Sequence, residues 1–370
     1  MRKTSRRRKT IVIMLIMLIL MILELTANYP NSATPLERLE LAASDTATKL
    51  RGGHPPHEDI VIVAIDDESL VWVEERWPWS RLRLAEIVNW LNDAGAKVIA
   101  FDIFLFDPSA DPADDQALAQ AFEEANAVVT VSQIFASPYA TTTIDLPERV
   151  YLDVIDGYGL TEIDRDDDAI VRGVRAFKEN NGEIIYNWAF EIAAAYLGVD
   201  SPTNPSEASL TFNGETIPLN QRGLLLLNFA GPKATYPTYP AAYVPLGDYP
   251  PETFKDKIVF IGASSETMQD LYPTPFSATD LTPGVEIVAN TVDTLLTHSY
   301  FRLVPPWVTL LIIMGMALLA RILVAARQPT SSNLLMVAGV TLYLILRQII
   351  FYRTGIQLTI ISPSLMLILG

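Results

Sequence analysis

The chain has 370 residues, half of them hydrophobic, with no cysteine and a net charge of −16. That acidity excludes a nucleic-acid binder, which needs clustered Lys and Arg to displace counterions, and the lack of cysteine excludes disulfide staples and thiol chemistry. The charge is uneven: residues 29–305 hold 42 acidic against 17 basic residues, residues 1–28 hold six Lys or Arg and one acid, and residues 306–370 hold four Arg and no acid.

Residues 1–9 form a basic tail, and "TIVIMLIMLILMILELTA" (10–27) follows as a nearly unbroken apolar run, which predicts a transmembrane helix over 10–28. A secretory signal peptide shares this layout. No small-x-small cleavage site follows Leu25, and further apolar runs close the chain, so an uncleaved anchor is the preferred reading. A juxtamembrane helix is expected within 29–52. Its residues Leu36, Leu39, Ala43, Thr46 and Leu50 recur at heptad steps. They serve either a dimer helix or an ordinary amphipathic helix packed on its own domain.

Residues 53–305 read as an α/β domain. "DIVIVAIDDES" (59–69) is a continuous apolar run ending in acids, as suits a strand buried on both faces. A helix over 81–96, a second strand over 97–107, a helix over 111–126 and a third strand over 127–134 complete a β-α-β-α-β alternation. Beyond it come a strand and turn in 170–187, a helix over 187–198 stopped by Gly198, and a hairpin at 209–219 around Asn213–Gly214. Strands over 224–231 and 257–265 and a helix over 283–298 opened by Pro283 follow.

Apolar runs at 306–326, 334–352 and 356–370 predict three more spans, separated by "RQPTSSN" and "YRTG". Four spans put both termini on one side. The N-terminal cations place that side in the cytoplasm and residues 29–305 outside, although Arg347 and Arg353 fall toward the outer end of the third span. The expected location is the plasma (inner) membrane, multi-pass. The fold class is α/β, a mainly parallel sheet with helices on both faces, plus four transmembrane helices.

"LTEIDRDDDAIVRGV" (160–174) is the densest acidic run. Counted as an EF-type calcium loop from Asp164, it has Asp166 and Asp168 in place but Ala169 at the glycine position and Arg175 where the bidentate carboxylate belongs. A charged turn, with Arg172 as partner to one of its acids, is the preferred reading. "GASS" (262–265) is not a nucleophile elbow, and no phosphate-binding glycine loop occurs. His54 and His57 flank two prolines and read as exposed loop residues rather than zinc ligands. The remaining candidates are positional. Asp66, Asp67, Asp102, Asp107, Gly262 and Ser264 fall at or beyond C-terminal ends of predicted parallel strands, where ligands bind in open α/β sheets, and a helix cap is the competing role for each acid.

Several stretches together resemble the CHASE type 2 domain, an extracytoplasmic sensor of bacterial transmembrane receptors. They are "PLERLEL", "IVIVAIDDESL" with "RWPWSR", "GAKVIAFDIFLFDPS" with "DDQALAQA", "KDKIVFIGASS" with "DLYPTPF", and "PGVEIVANTVDTLL", covering about 35–300. The layout of one leading span, a sensor and three closing spans is also similar to that family. The resemblance implies signalling to a cytoplasmic output, an adenylate or guanylate cyclase or a protein kinase. No catalytic residue, cofactor or metal is implied in this chain. The family pattern has glycine where "DDDAIVR" has Ala169, which puts a left-handed residue there in doubt.

The reading thus expects a sensor that binds a small-molecule or ionic ligand, with Asp270 added to the candidate residues. It expects a homodimer through 36–50 and the last helix of the outer segment, the bilayer as a partner, and an output outside these residues, since Gly370 falls within or at the end of the last apolar run. The alternatives are an extracytoplasmic metal-dependent hydrolase built on Asp66, Asp102 and Asp270, or a solute-binding membrane protein.

Overall fold

The computed structural model describes residues 2–27, 34–136, 142–277, 280–326 and 329–369. The chain forms two units: Met1–Gly52 with Phe301–Gly370, and Gly53–Tyr300.

The first unit opens with helices α1 (Arg2–Ala27) and α2 (Pro35–Arg51). Thr34 starts α2 by accepting the Glu37 N–H on its hydroxyl at 3.2 Å, with Pro35 in the first turn.

The second unit holds β1 (Ile60–Ile65), α3 (Asp67–Trp72), α4 (Arg81–Asp93), β2 (Val98–Phe101), α5 (Pro112–Glu124), β3 (Val128–Ala136), β4 (Thr142–Asp145), α6 (Arg149–Leu152) and β5 (Gly157–Leu160). It continues through β6 (Gly173–Arg175), β7 (Phe177–Asn180), β8 (Glu183–Tyr186), α7 (Trp188–Leu197), β9 (Ser209–Phe212), β10 (Glu215–Pro218) and β11 (Leu224–Leu226). It closes with β12 (Thr238–Pro240), β13 (Ile258–Ala263), β14 (Leu271–Tyr272), β15 (Thr282–Pro283) and α8 (Gly284–Leu296). The main sheet runs β12-β1-β13-β2-β3, with β4 and β5 both pairing with β3, and every pairing in it is parallel except β3 with β4.

The apolar run of β1 is continuous because both of its faces are covered. Ile60, Ile62 and Ala64 pack with α7 and α8, and Val61, Val63 and Ile65 with α4 and α5. Each Ile or Val among them contributes about 1.5–3 kcal/mol of transfer free energy on burial. Helix starts follow local chemistry: Asp66 caps α3 through Ser69 N–H at 2.7 Å, Asp111 caps α5 through Ala113 N–H at 2.9 Å, and Asn187 caps α7 through Ala189 N–H at 3.1 Å. Helix α8 is buried from Gly284 through Leu295, as befits a core helix without a solvent face.

The chain returns to the first unit through β16 (Arg302–Leu303), α9 (Pro306–Ala326), α10 (Pro329–Thr354), β17 (Ile356–Gln357) and α11 (Ile361–Leu369). Here the four-span expectation is corrected. Among the described residues two helices are long and apolar enough to cross a membrane, Pro306–Val324 and Ser332–Thr354, while the apolar part of α1 is the shorter Ile11–Leu25. Helix α10 runs through most of both predicted breaks, from Pro329 to Thr354, and Gly355 at φ 67 ends it. The expected span at 356–370 begins instead with β17, which pairs with β16, so α11 has nine described residues.

Candidate functional site

The acidic run at 160–174 resolves into ion pairs. Arg172 bridges Asp166 at 2.8 Å and Asp168 at 2.6 Å, Arg222 reaches the other Asp166 oxygen at 2.8 Å, Arg175 holds Asp164 at 3.1 Å, and Lys178 pairs with Glu162. Burial pushes the Asp168 carboxyl up, but the Arg172 hydrogen bond and charge outweigh it and hold it below the usual range. The cations that a calcium loop would exclude neutralise these carboxylates, so the charged-turn reading stands. One expectation is corrected: Ala169 does take up the left-handed conformation, at φ 67. The turn closed by Ala169 N–H to Asp166 O at 2.7 Å and Asp166 N–H to Ile170 O at 3.0 Å requires it.

The histidines also depart from expectation. His54 and His57 are half-buried. The His54 N–H donates to Ala230 O at 2.8 Å and the His57 N–H to Asp293 Oδ2 at 2.9 Å. Both are held by the domain, because the segment leading into β1 must satisfy its backbone groups as it runs over α8.

The strand-end residues separate into two groups. Strand β13 inserts between β1 and β2, so Ile65 lies opposite Ala263 and Phe101 opposite Ile261. Beside β1, Asp66 is occupied in capping α3, and Asp67 accepts the Ser265 hydroxyl. The backbone N–H of Ser264 donates to Ile65 O at 3.1 Å. Asp107 is exposed on the loop after β2. These four residues do not converge with the others.

Asp102, Gly262 and Asp270 do come together, at the N-terminal end of α8. A Cβ on Gly262 would fall 2.8 Å from Val285 Cγ2 and 3.0 Å from Asp102 Cβ, so only glycine lets β13, β2 and α8 approach here. A Cβ on Gly284 would collide with the Asp270 carboxylate. Burial and the neighbouring Asp270 charge push the Asp102 carboxyl up to about 8, against a hydrogen bond from Thr161 that favours its charged form. Asp270 is also raised, by burial, while hydrogen bonds from Tyr272 and Gly284 and the Arg165 charge oppose it. Burial and Asp270 drive Tyr272 up to about 12, and the Arg165 guanidinium lies 4.8 Å from the centre of its ring.

This strand-end cluster therefore holds two carboxyls with raised affinity for protons, one phenol and one guanidinium, supplied by the end of β2, the loop after β5 and the segment entering β14, and packed against β13 and the start of α8. Thr161, Arg165 and Tyr272 were not among the sequence candidates. The signal for Tyr272 lay in "DLYPTPF", the stretch that carries Asp270, whereas Arg165 is drawn in from a turn that reads only as charge. Of the three carboxylates of the hydrolase alternative, Asp66 is engaged in capping α3 while Asp102 and Asp270 lie close enough for the charge of one to raise the other. Among the described residues no three His, Cys, Asp or Glu side chains gather as a metal set.

Helix α8 carries this cluster at one end and the chain's departure from the unit at the other. Along it, Glu286 accepts the N–H groups of Ala234 and Thr235 at 3.0 Å each, Asn290 accepts Ala230 N–H at 2.8 Å, and Thr294 accepts Asn228 N–H at 3.3 Å. Asp293 accepts the Tyr236 hydroxyl at 2.8 Å as well as the His57 N–H. The incoming chain at His57 and the outgoing chain after Leu296 are thus both fastened to one buried rod of about 20 Å.

Among known protein families, the model described as the CHASE2 domain matches residues 12–322. No curated protein and no solved structure matches the chain.

Proposed function

The chain belongs to the CHASE2 domain family, an extracellular sensor domain of signalling receptors, and on that premise we propose that it is the sensor and membrane region of a multi-pass bacterial receptor in the plasma membrane. A small-molecule or ionic signal acts at the cluster of Asp102, Asp270, Tyr272 and Arg165. The response passes to a cytoplasmic output domain outside these residues, an adenylate or guanylate cyclase in the first instance and a protein kinase in the second. The observation that carries the reading is α8, whose first turn meets Asp270 and Gly262 and whose last turns hold the chain on its way in and out. A ligand that prefers one placement of that turn shifts the rod, and a differential interaction of this kind is what a signal requires.

The test uses the exposed residue after α8. A fluorophore on Thr297→Cys in the otherwise cysteine-free chain reports the exit end. Asp270→Asn, at the other end, is expected to change its emission or mobility. An unchanged probe would sink the reading.

A homodimer is part of this proposal, through α2. Of the heptad stripe, Leu39 is 56% and Leu50 74% exposed, whereas α8 is buried and offers no face to a second copy. Leu39→Glu with Leu50→Glu is expected to convert a dimer to a monomer in detergent by light scattering. An unaltered mass removes α2 from the interface.

A further inference from the structure

Four helices of the first unit each place a side chain on the short segment between α10 and α11. From α2, the Glu40 carboxylate accepts the backbone N–H groups of Ile360 and Ile361 at 2.6 and 2.8 Å, at the first turn of α11. From α1, Glu24 accepts the Ser362 hydroxyl at 2.7 Å. From α10, the Tyr343 hydroxyl donates to Thr359 O, and Arg347, only 2% exposed, donates through Nε to Leu358 O at 3.2 Å. From α9, Thr309 Oγ1 lies 2.9 Å from Thr359 Oγ1. Two further bonds fasten α2 to the same region: Ser44 donates to Gln357 Oε1 at 3.1 Å, and Gln348 Nε2 donates to Ala47 O at 2.9 Å.

Ionisable side chains within an apolar helix bundle are costly, and they persist where a specific arrangement uses them. The first N–H groups of a helix have no partner inside it. A carboxylate placed there gains two charge-assisted hydrogen bonds and the favourable end of the helix dipole. Glu40 supplies that to α11 from a different helix, 320 residues earlier.

We propose that Glu40 is a positioning residue that couples α2 to α11. Helix α2 continues through Gly52 directly into the 53–300 unit, so a shift or rotation of α2 carries the first turn of α11 with it. Glu24, Tyr343, Arg347 and Thr309 hold the carbonyl and hydroxyl groups around that turn, and Glu40 reaches its two N–H groups from the helix joined to the sensor. The inference deepens the receptor reading, on which its purpose rests. The experiment measures the coupling itself, so it can fail while the receptor reading stands.

The full chain is spin-labelled at Arg38→Cys and Leu369→Cys, both exposed and neither in the α2 stripe, and is placed in lipid nanodiscs with an excess of unlabelled chain so that each nanodisc holds one labelled copy. Pulsed electron resonance is expected to give one narrow distance. Glu40→Ala broadens it and speeds amide exchange over 361–369 by about tenfold or more, the loss due to charge-assisted bonds. Glu40→Gln, whose amide oxygen still accepts, restores part of both. Ser362→Ala, which removes one contact from α1 and none from α2, leaves the α2–α11 distance unchanged. The proposal is overturned if Glu40→Ala changes neither readout, if Glu40→Gln restores nothing, or if Ser362→Ala broadens the distance as far as Glu40→Ala does.

Discussion

Replacing Asp102 with Asn tests the cluster through its protons. The folded protein holds the Asp102 carboxyl near 8, against 3.8 for an unperturbed aspartate. A carboxyl raised on folding contributes stability that is complete below about pH 4 and is lost as pH rises through the folded value. Over that interval each step of one in pH removes about 1.4 kcal/mol. Between pH 5 and pH 7 the wild type therefore loses about 2–3 kcal/mol through this group, reduced to about 1–2 kcal/mol because Asp102 retains some solvent exposure. Asn is nearly isosteric and never charges, so Asp102→Asn escapes the loss. The expected result is a variant more stable than wild type at neutral pH, with the gap widening by roughly 2–8 °C in melting temperature from pH 5 to pH 7 for a domain of this size. Thermal melts of the full chain in detergent, followed by tryptophan fluorescence across that range, measure the gap. A gap that stays constant with pH would refute the argument that burial beside Asp270 controls this carboxyl.

Three further outcomes are expected. Ala169→Gly relieves the left-handed strain at φ 67, about 1–2 kcal/mol, offset by the greater freedom of glycine in the unfolded chain, and denaturant titration should show a net gain of about 0.5–1 kcal/mol. Arg172→Ala leaves Asp166 and Asp168 without their shared cation and costs about 3 kcal/mol at neutral pH. Asp168 is held below its ordinary value, so this cost is present above about pH 4 and shrinks as pH falls through the folded value, which melts at pH 7 and pH 3 would reveal. Gly284→Ala drives a methyl group into the Asp270 carboxylate and is expected to destabilise by about 1–3 kcal/mol. A Gly284→Ala variant as stable as wild type by denaturant titration would mean the cluster yields freely at this point.

What the sequence by itself determined is local. The apolar runs of β1, β2, β3 and β13, the Gly198 stop of α7 and the Asn213–Gly214 hairpin are legible because backbone geometry and burial on both faces impose a pattern over a few residues. The ordered stretches from "PLERLEL" to "PGVEIVANTVDTLL" pointed to the family by resemblance alone. Strand β5 escaped this logic. Its "GYGL" has no apolar run, and Gly159 is there because a Cβ would stand 2.6 Å from the Trp188 Cα of α7, a requirement set by a helix almost thirty residues later. The true extent of α10 and the β17 pairing escaped it too, since apolar composition marks a membrane run without saying where its helix breaks. Only the tertiary structure decided that β13 lies between β1 and β2, which separates Asp66 from Asp102 and brings Gly262 and Asp270 to the latter. Only it decided that Glu40 meets the N–H groups of Ile360 and Ile361. Strand order and the meeting of distant side chains depend on which long-range pairings bury most surface and leave fewest polar groups unpaired, and no window of neighbouring residues contains that comparison.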